Sequence, residues 1–116
     1  MMSDNCIFCK IISGSIPSEK VHETQNIVVF KDINPVSPVH LLIVPKKHIP
    51  SINDLSGEDA HLMGDVFRVA RELGTTIEEL EKNYRVIIST GPDAGQVVPH
   101  IHFHLIGGRK LTWPPG

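Results

Sequence analysis

The sequence holds three histidines in strict alternation, in the run His100-Ile101-His102-Phe103-His104. Successive side chains of a β-strand point to opposite faces. The run therefore predicts an imidazole face of His100, His102 and His104 opposite an apolar face of Ile101, Phe103 and Leu105. Cα atoms two residues apart on a strand lie roughly 6.6 Å from one another, so adjacent rings can touch each other or a ligand lying across them. Three uses of such a face are open. It could be a solvated surface. It could bind metal, since histidine is the commonest metal ligand and catalytic zinc takes three protein donors. Residues two apart on a flat strand splay, however, and acidic partners are missing nearby. The third use is covalent catalysis: a neutral imidazole, of ordinary pKa about 6.5, is a good nucleophile near pH 7 and can be oriented by a second histidine.

Cys6 and Cys9, the chain's two cysteines, form a C-x-x-C at the other end. Such a pair could bind metal, be redox-active, or be two buried thiols. A tetrahedral metal site would need two further ligands. No thioredoxin-like βαβ pattern surrounds the pair, which speaks against redox chemistry.

These residues must be positioned by a small set of elements. Ile7, Phe8, Ile11 and Ile12 predict a short amphipathic helix over residues 4–12, ended by Gly14 and Pro17. Residues 20–23 and 27–31 read as strands joined by the turn Thr24-Gln25-Asn26. Residues 32–38 form a loop stiffened by Pro35 and Pro38. Leu41-Leu42-Ile43-Val44 predicts a strand buried on both faces and ended by Pro45. The longest helix is expected over 56–73, with Ser56 as N-cap, Asp59 completing a capping box, and Gly74 as its stop. A short helix over 77–81, a strand over 85–89, a loop over 90–99 and a last strand over 100–106 complete the chain. The apolar side of that last strand should pack on the long helix. Strands outnumber helices and are partly sequential, which favours an α+β fold over a doubly wound α/β fold.

Composition narrows the partners. The 116 residues fit one domain, and 41% hydrophobic residues suffice for a core. Eleven basic against 13 acidic side chains give a net charge of −2, which argues against a general nucleic-acid binder but not against a single nucleotide. No apolar run reaches about 18 residues, so no membrane span is expected. The first residues lack the pattern of a secretory signal, and the expected compartment is the cytoplasm. His22 and His61 read as surface positions.

The run His100-Ile101-His102-Phe103-His104-Leu105-Ile106 resembles the signature of the histidine triad (HIT) family. The resemblance extends over nearly the whole chain. It includes Cys6-Ile7-Phe8-Cys9-Lys10-Ile11-Ile12, Asp32-Ile33-Asn34-Pro35 and the block from His40 to His48. Gly107-Gly108-Arg109 and Trp113-Pro114-Pro115-Gly116 resemble the Hint branch, whose members hydrolyse nucleoside phosphoramidates. The resemblance implies one HIT domain over 1–116, an antiparallel sheet of about five strands with one long helix and a short N-terminal helix, and a homodimer with joined sheets. It implies that Trp113 reaches toward the partner's site.

By the same resemblance His102 attacks the α-phosphorus of a purine nucleotide conjugate, and water then releases an AMP-like monophosphate. His104 would bind the phosphate, and His100 and His40 would form an outer relay fixing the tautomer of His102. The loop 91–98, with Gly95 and Val97, would offer backbone N–H groups to phosphate. Gly91 could equally serve only to turn the chain, whereas Gly95 is the better placed of the two to meet an anion. Asp32 would bind the ribose hydroxyls, or merely cap a turn. Ile7, Phe8, Ile11 and Phe30 would form the base pocket, or ordinary core. Two positions depart from the Hint pattern. Ser89 replaces an asparagine, and Val97 replaces a phosphate-directed hydroxyl, which puts phosphoramidase efficiency in doubt. The resemblance to cysteine-bearing bacterial members implies a structural Zn2+ on Cys6, Cys9, His48 and His100, with no metal needed for catalysis. The alternatives are a dinucleoside polyphosphate hydrolase and a non-catalytic nucleotide- or zinc-binding regulatory module.

Overall fold

The structure is a computed structural model that describes residues 5–116. Helix α1 (Ile7–Ser13) begins where Cys6 turns extended and caps it, the Cys6 Sγ accepting the Cys9 N–H at 3.4 Å. It ends at Gly14, whose φ of 85° lies in the left-handed region. The helix therefore starts later than the apolar spacing predicts; residue 4 lies outside the described residues. Strands β1 (Lys20–Glu23) and β2 (Ile27–Lys31) form the expected hairpin, followed by β3 (Val39–Pro45). Strands β4 (Tyr84–Ile87) and β5 (Phe103–Gly107) complete an antiparallel sheet of order β1-β2-β3-β5-β4.

Alternation along the central strands assigns each face its partner. Ile27, Val29, Leu41, Ile43, Phe103 and Leu105 point to one face. Helix α2 (Ala60–Thr76) covers them with Leu62, Val66, Val69, Ala70 and Leu73. Val28, Phe30, Leu42 and Val44 point the other way, onto α1 through Phe8, Cys9 and Ile11. β3 is buried along its whole length because both faces are covered, as its unbroken apolar run requires. Each fully buried large apolar side chain contributes about 1.5–3 kcal/mol.

Several boundaries differ from expectation. Residues Gly57–Asp59 form a 3₁₀ turn before α2, with the Ser56 N–H and hydroxyl both donating to the Asp59 carboxylate. The helix then runs through Gly74 to Thr76. Gly74 is not its stop: a Cβ there would strike the Tyr84 ring at 2.5 Å, so the glycine gives room for helix and sheet to close. The expected helix over 77–81 is a 3₁₀ turn, Glu78–Leu80. The strand predicted over 85–89 is observed as Tyr84–Ile87, and the one predicted over 100–106 as Phe103–Gly107. Ile43 pairs with Phe103, so continuing that register would set Ile101 opposite Pro45, which has no N–H to give the ladder. The Ile101 N–H instead donates to the Ile49 carbonyl at 2.6 Å.

Gly107 is a second close approach, where an added Cβ would run into the Leu80 side chain and lie 2.9 Å from the Asn83 carbonyl. Gly107→Ala is expected to cost about 1–3 kcal/mol by overpacking. A lower urea midpoint with unchanged far-ultraviolet circular dichroism would register it. Among the described residues no helix is long and apolar enough to cross a membrane.

Candidate active site

The imidazoles gather on the α1 side of the sheet. His104 stands on β5 opposite Leu42, and His40 on β3 opposite Ile106. His102 and His100 precede β5, yet Ile101 between them points into the α2-side core. The alternation of faces thus continues past the end of the ladder. The His102 ring lies edge-on to Phe8, centroids 5.0 Å apart, and 5.2 Å from the His104 ring.

Hydrogen bonds assign each ring nitrogen a role. The Val36 N–H donates to His40 Nδ1 at 3.1 Å, so the proton of a neutral His40 sits on Nε2. That Nε2–H faces His104 Nδ1 at 2.9 Å and the Asp32 carboxylate at 3.3 Å. His104 Nδ1 therefore accepts, and its own proton sits on Nε2. His102 Nδ1 lies 2.7 Å from the His100 carbonyl, which can only accept. His102 Nδ1 must then carry the proton, leaving an unprotonated Nε2. The arrangement sets a nitrogen lone pair on His102 beside a hydrogen-bond donor on His104. Such a pair can attack an electrophilic centre and stabilise charge developing on it.

Asp32, His40 and His104 also lie close enough to share a cation. The Val36 N–H argues against that use, because His40 would need both its nitrogens unprotonated. The trio is better matched to holding protons in place. Asp32 meanwhile accepts the Asn34 N–H at 2.8 Å, so its carboxylate caps a turn and faces His40 at once.

Burial holds His104 and His40 below the ordinary histidine value of 6.5. The His102 and His40 rings add to the effect on His104, and the Asp32 carboxylate opposes it on both. Both rings are thus kept neutral. Because the unfolded chain takes up these protons first, stability is full above about pH 6.5 and falls as pH drops toward the folded values. Melting temperature is expected to be lower at pH 5 than at pH 7.5, and His40→Gln should flatten that dependence. An unchanged slope in the variant would remove His40 from it.

The outer histidines are arranged differently from a relay of rings. His40 meets His104, and His100 meets His102 through its backbone carbonyl. The His100 ring is wholly buried and turns toward the cysteines. Its Nδ1 lies 3.3 Å from Cys6 Sγ, 3.6 Å from Cys9 Sγ and 3.2 Å from His48 Nδ1, and Cys9 Sγ lies 3.4 Å from His48 Nδ1. A tetrahedral ion with metal–nitrogen and metal–sulfur bonds of about 2.0–2.3 Å sets its donors about 3.3–3.8 Å apart. These four distances lie near that figure, all four ligand atoms lie within 4.8 Å of one another, and the four side chains could hold a metal ion. His100 Nε2–H donates to the Pro45 carbonyl at 2.8 Å, which turns the Nδ1 lone pair toward the cluster. Burial pulls the His100 ring down to about 4, so that lone pair is free at neutral pH.

The remaining expected residues surround the rings. Phe8 packs edge-on against Phe30, centroids 5.4 Å apart, and Ile11 is buried beside them. Ile7 is 47% exposed on the outer side of α1. Ser89 is half-buried beyond β4. Gly95 has a φ of 96°, which only glycine adopts readily, and closes a 3₁₀ turn, Pro92–Ala94. Val97 is 89% exposed on the same loop. Nothing in the sequence marks Gln96. Its amide accepts the Gly91 N–H and donates to the Pro50 and Val98 carbonyls, bracing the loop. The Val36 N–H and the Pro45 and His100 carbonyls were equally hidden, since backbone groups leave no mark on residue identity.

Comparison with known proteins bears on the family and the fold. The family model described as the HIT domain matches residues 13–111. An uncharacterized HIT-like protein of Synechococcus elongatus is 41% identical over 99% of this chain and all of its own length. A HIT family hydrolase from Legionella pneumophila superposes with a TM-score of 0.93 at 47% identity, covering 97% of this chain and 100% of that one. A histidine triad protein from Clostridium difficile gives a TM-score of 0.92 at 39% identity, covering 97% of each chain.

Proposed function

This chain belongs to the HIT family, and on that footing we propose that it is a nucleotidyl hydrolase working through a covalent intermediate on His102. Its proposed substrates are purine nucleoside phosphoramidates or related adenylyl conjugates. The observation that carries the proposal is the assignment of ring protons, with the His102 Nδ1 tied to the His100 carbonyl at 2.7 Å and Nε2 left as a lone pair. In the first step Nε2 attacks the α-phosphorus. A nitrogen–phosphorus bond forms to His102 as the bond to the leaving amine breaks. The amine leaves with that electron pair and takes a proton from solvent. In the second step water attacks phosphorus and gives up a proton to solvent, the electron pair of the broken nitrogen–phosphorus bond returns to His102 Nε2, and the nucleoside monophosphate departs. His104 Nε2–H would bond a non-bridging oxygen in both steps.

Asp32 would bind the ribose hydroxyls, and Ile7, Phe8, Ile11 and Phe30 the base. Ser89 and the backbone at Gly95 and Val97 would meet the phosphate. The exposed Val97 favours a second reading, in which a dinucleoside polyphosphate is the better substrate because no side-chain hydroxyl serves an amine leaving group there. Incubation with an adenosine phosphoramidate and, separately, with a dinucleoside polyphosphate, following AMP by chromatography, tests both. Binding of AMP without turnover of either would make the protein a regulatory nucleotide-binding module.

The Cys6, Cys9, His48 and His100 cluster would hold a structural Zn2+, whose four protein donors leave no position for substrate. Zinc would fasten α1 to the sheet, and the chemistry above would run without a metal. Metal analysis of protein purified without added zinc tests this, a ratio near zero per chain removing it. We further place the protein in the cytoplasm as a homodimer of one HIT domain per chain. The open sheet edge at β4, the exposed Phe67 on α2 and the exposed Trp113 in the tail support the dimer.

A further inference from the structure

One residue joins the metal cluster to the nucleophile. The His100 ring presents Nδ1 to Cys6, Cys9 and His48, while its backbone carbonyl accepts the His102 Nδ1–H. We propose that His100 is a positioning residue that makes the orientation of His102 depend on the metal, so that metal occupancy governs nucleophilic competence. The inference rests on the reading of His102 as nucleophile.

The coupling follows from what the cluster must do without a cation. His100 Nδ1 and His48 Nδ1 lie 3.2 Å apart, and both are aimed at the same point. With a cation both must present lone pairs, whereas without one a neutral His48 carries its proton on Nδ1 and donates to His100, so the two rings change from converging on an ion to facing each other as donor and acceptor. Without the cation the four donors lose the bonds that fix their spacing, and both rings are drawn to a new one. The His100 ring has little room to move alone, because it is fully buried and its Nε2–H is fixed to Pro45. Its displacement must therefore shift the backbone. That backbone segment bears the carbonyl on which the His102 proton rests. The next residue is tied to Ile49, one residue past His48, so ligand movement on that side reaches the same segment. Loss of the carbonyl hydrogen bond lets His102 rotate or exchange tautomers, and Nε2 is then no longer held as a lone pair toward substrate.

The test compares zinc-loaded and chelator-stripped protein labelled with nitrogen-15. In the loaded form the long-range proton–nitrogen spectrum of His102 should show one tautomer, protonated at Nδ1. In the stripped form its nitrogen shifts should move toward averaged values, and single-turnover nucleotidyl transfer should fall about 10–100-fold. An unchanged His102 spectrum in folded, stripped protein overturns the proposal. If stripping unfolds the chain, the loaded protein serves instead. Zinc affinity, measured by competition with a chromophoric chelator, should rise about fivefold or more with saturating AMP, because coupling is reciprocal. His102→Ala should abolish that increase, and equal affinities with and without AMP in the wild type would overturn the coupling. Turnover surviving His102→Ala would instead refute the nucleophile while leaving the spectroscopic result to stand or fall separately.

Discussion

Replacing His102 by alanine is expected to lower kcat/KM for an adenosine phosphoramidate by at least about 10⁴-fold, because the proposed covalent step loses its only attacking atom. The effect should fall on kcat. The base and ribose contacts proposed for Phe8, Phe30 and Asp32 remain, so AMP affinity should fall far less than kcat/KM, by about the fivefold factor of the metal coupling. Stability should also be nearly preserved, since His102 is half-buried and its ring contacts are edge contacts to Phe8 and His104. His104→Ala makes the informative contrast. It removes a donor and not the nucleophile, so a loss of about 10²–10³-fold is expected. Equal losses in the two variants would contradict the division of labour drawn from the ring protons.

The second large effect concerns the metal cluster. Cys9→Ser is expected to lower the melting temperature by roughly 10 °C, corresponding to about 3 kcal/mol, through loss of the proposed zinc, present well above its dissociation constant. Helix α1 spans only Ile7–Ser13, and so short a helix does not persist without tertiary anchorage. Phe8 and Ile11 supply part of that anchorage. The rest would come from the proposed metal, held by Cys6 and Cys9, by His48 beyond β3 and by His100 ahead of β5. A chelator should therefore produce a similar fall in the wild type and little further change in the variant. Equal melting temperatures in all four conditions would show that no metal stabilises the fold.

The sequence announced much of this architecture. The 20–23 and 27–31 hairpin and the buried run at Leu41–Val44 were legible because strand periodicity and β-branched residues coincide there. The end of α1 was legible from Gly14. The long helix was legible from its stripe, but its end was not. Gly74 looks like a stop until the Tyr84 ring is set against it, and that contact depends on tertiary packing. The histidine face was legible from alternation alone. That the ladder ends short of His102 was not, because it depends on the register that puts Pro45 opposite Ile101.

The two candidate sites divided in the same way. Residue types and the family resemblance named His40, His48, His100, His102 and His104 together with the cysteines. They did not say which nitrogen carries which proton. That information lies in the Val36 N–H and in the carbonyls of Pro45 and His100, which any residue could supply. The expectation of an outer relay of rings acting on His102 accordingly becomes two separate supports. His40 orients His104, and the His100 backbone orients His102.

The most direct test is to look for the bond itself. Wild-type protein mixed with excess adenosine phosphoramidate and quenched in alkaline denaturant within milliseconds should carry one added adenylyl group. Peptide mass spectrometry should place it on His102, and His102→Ala should carry none. An adenylyl group on His104 or another residue, or turnover with no protein-bound adenylyl group at any time, would contradict the account.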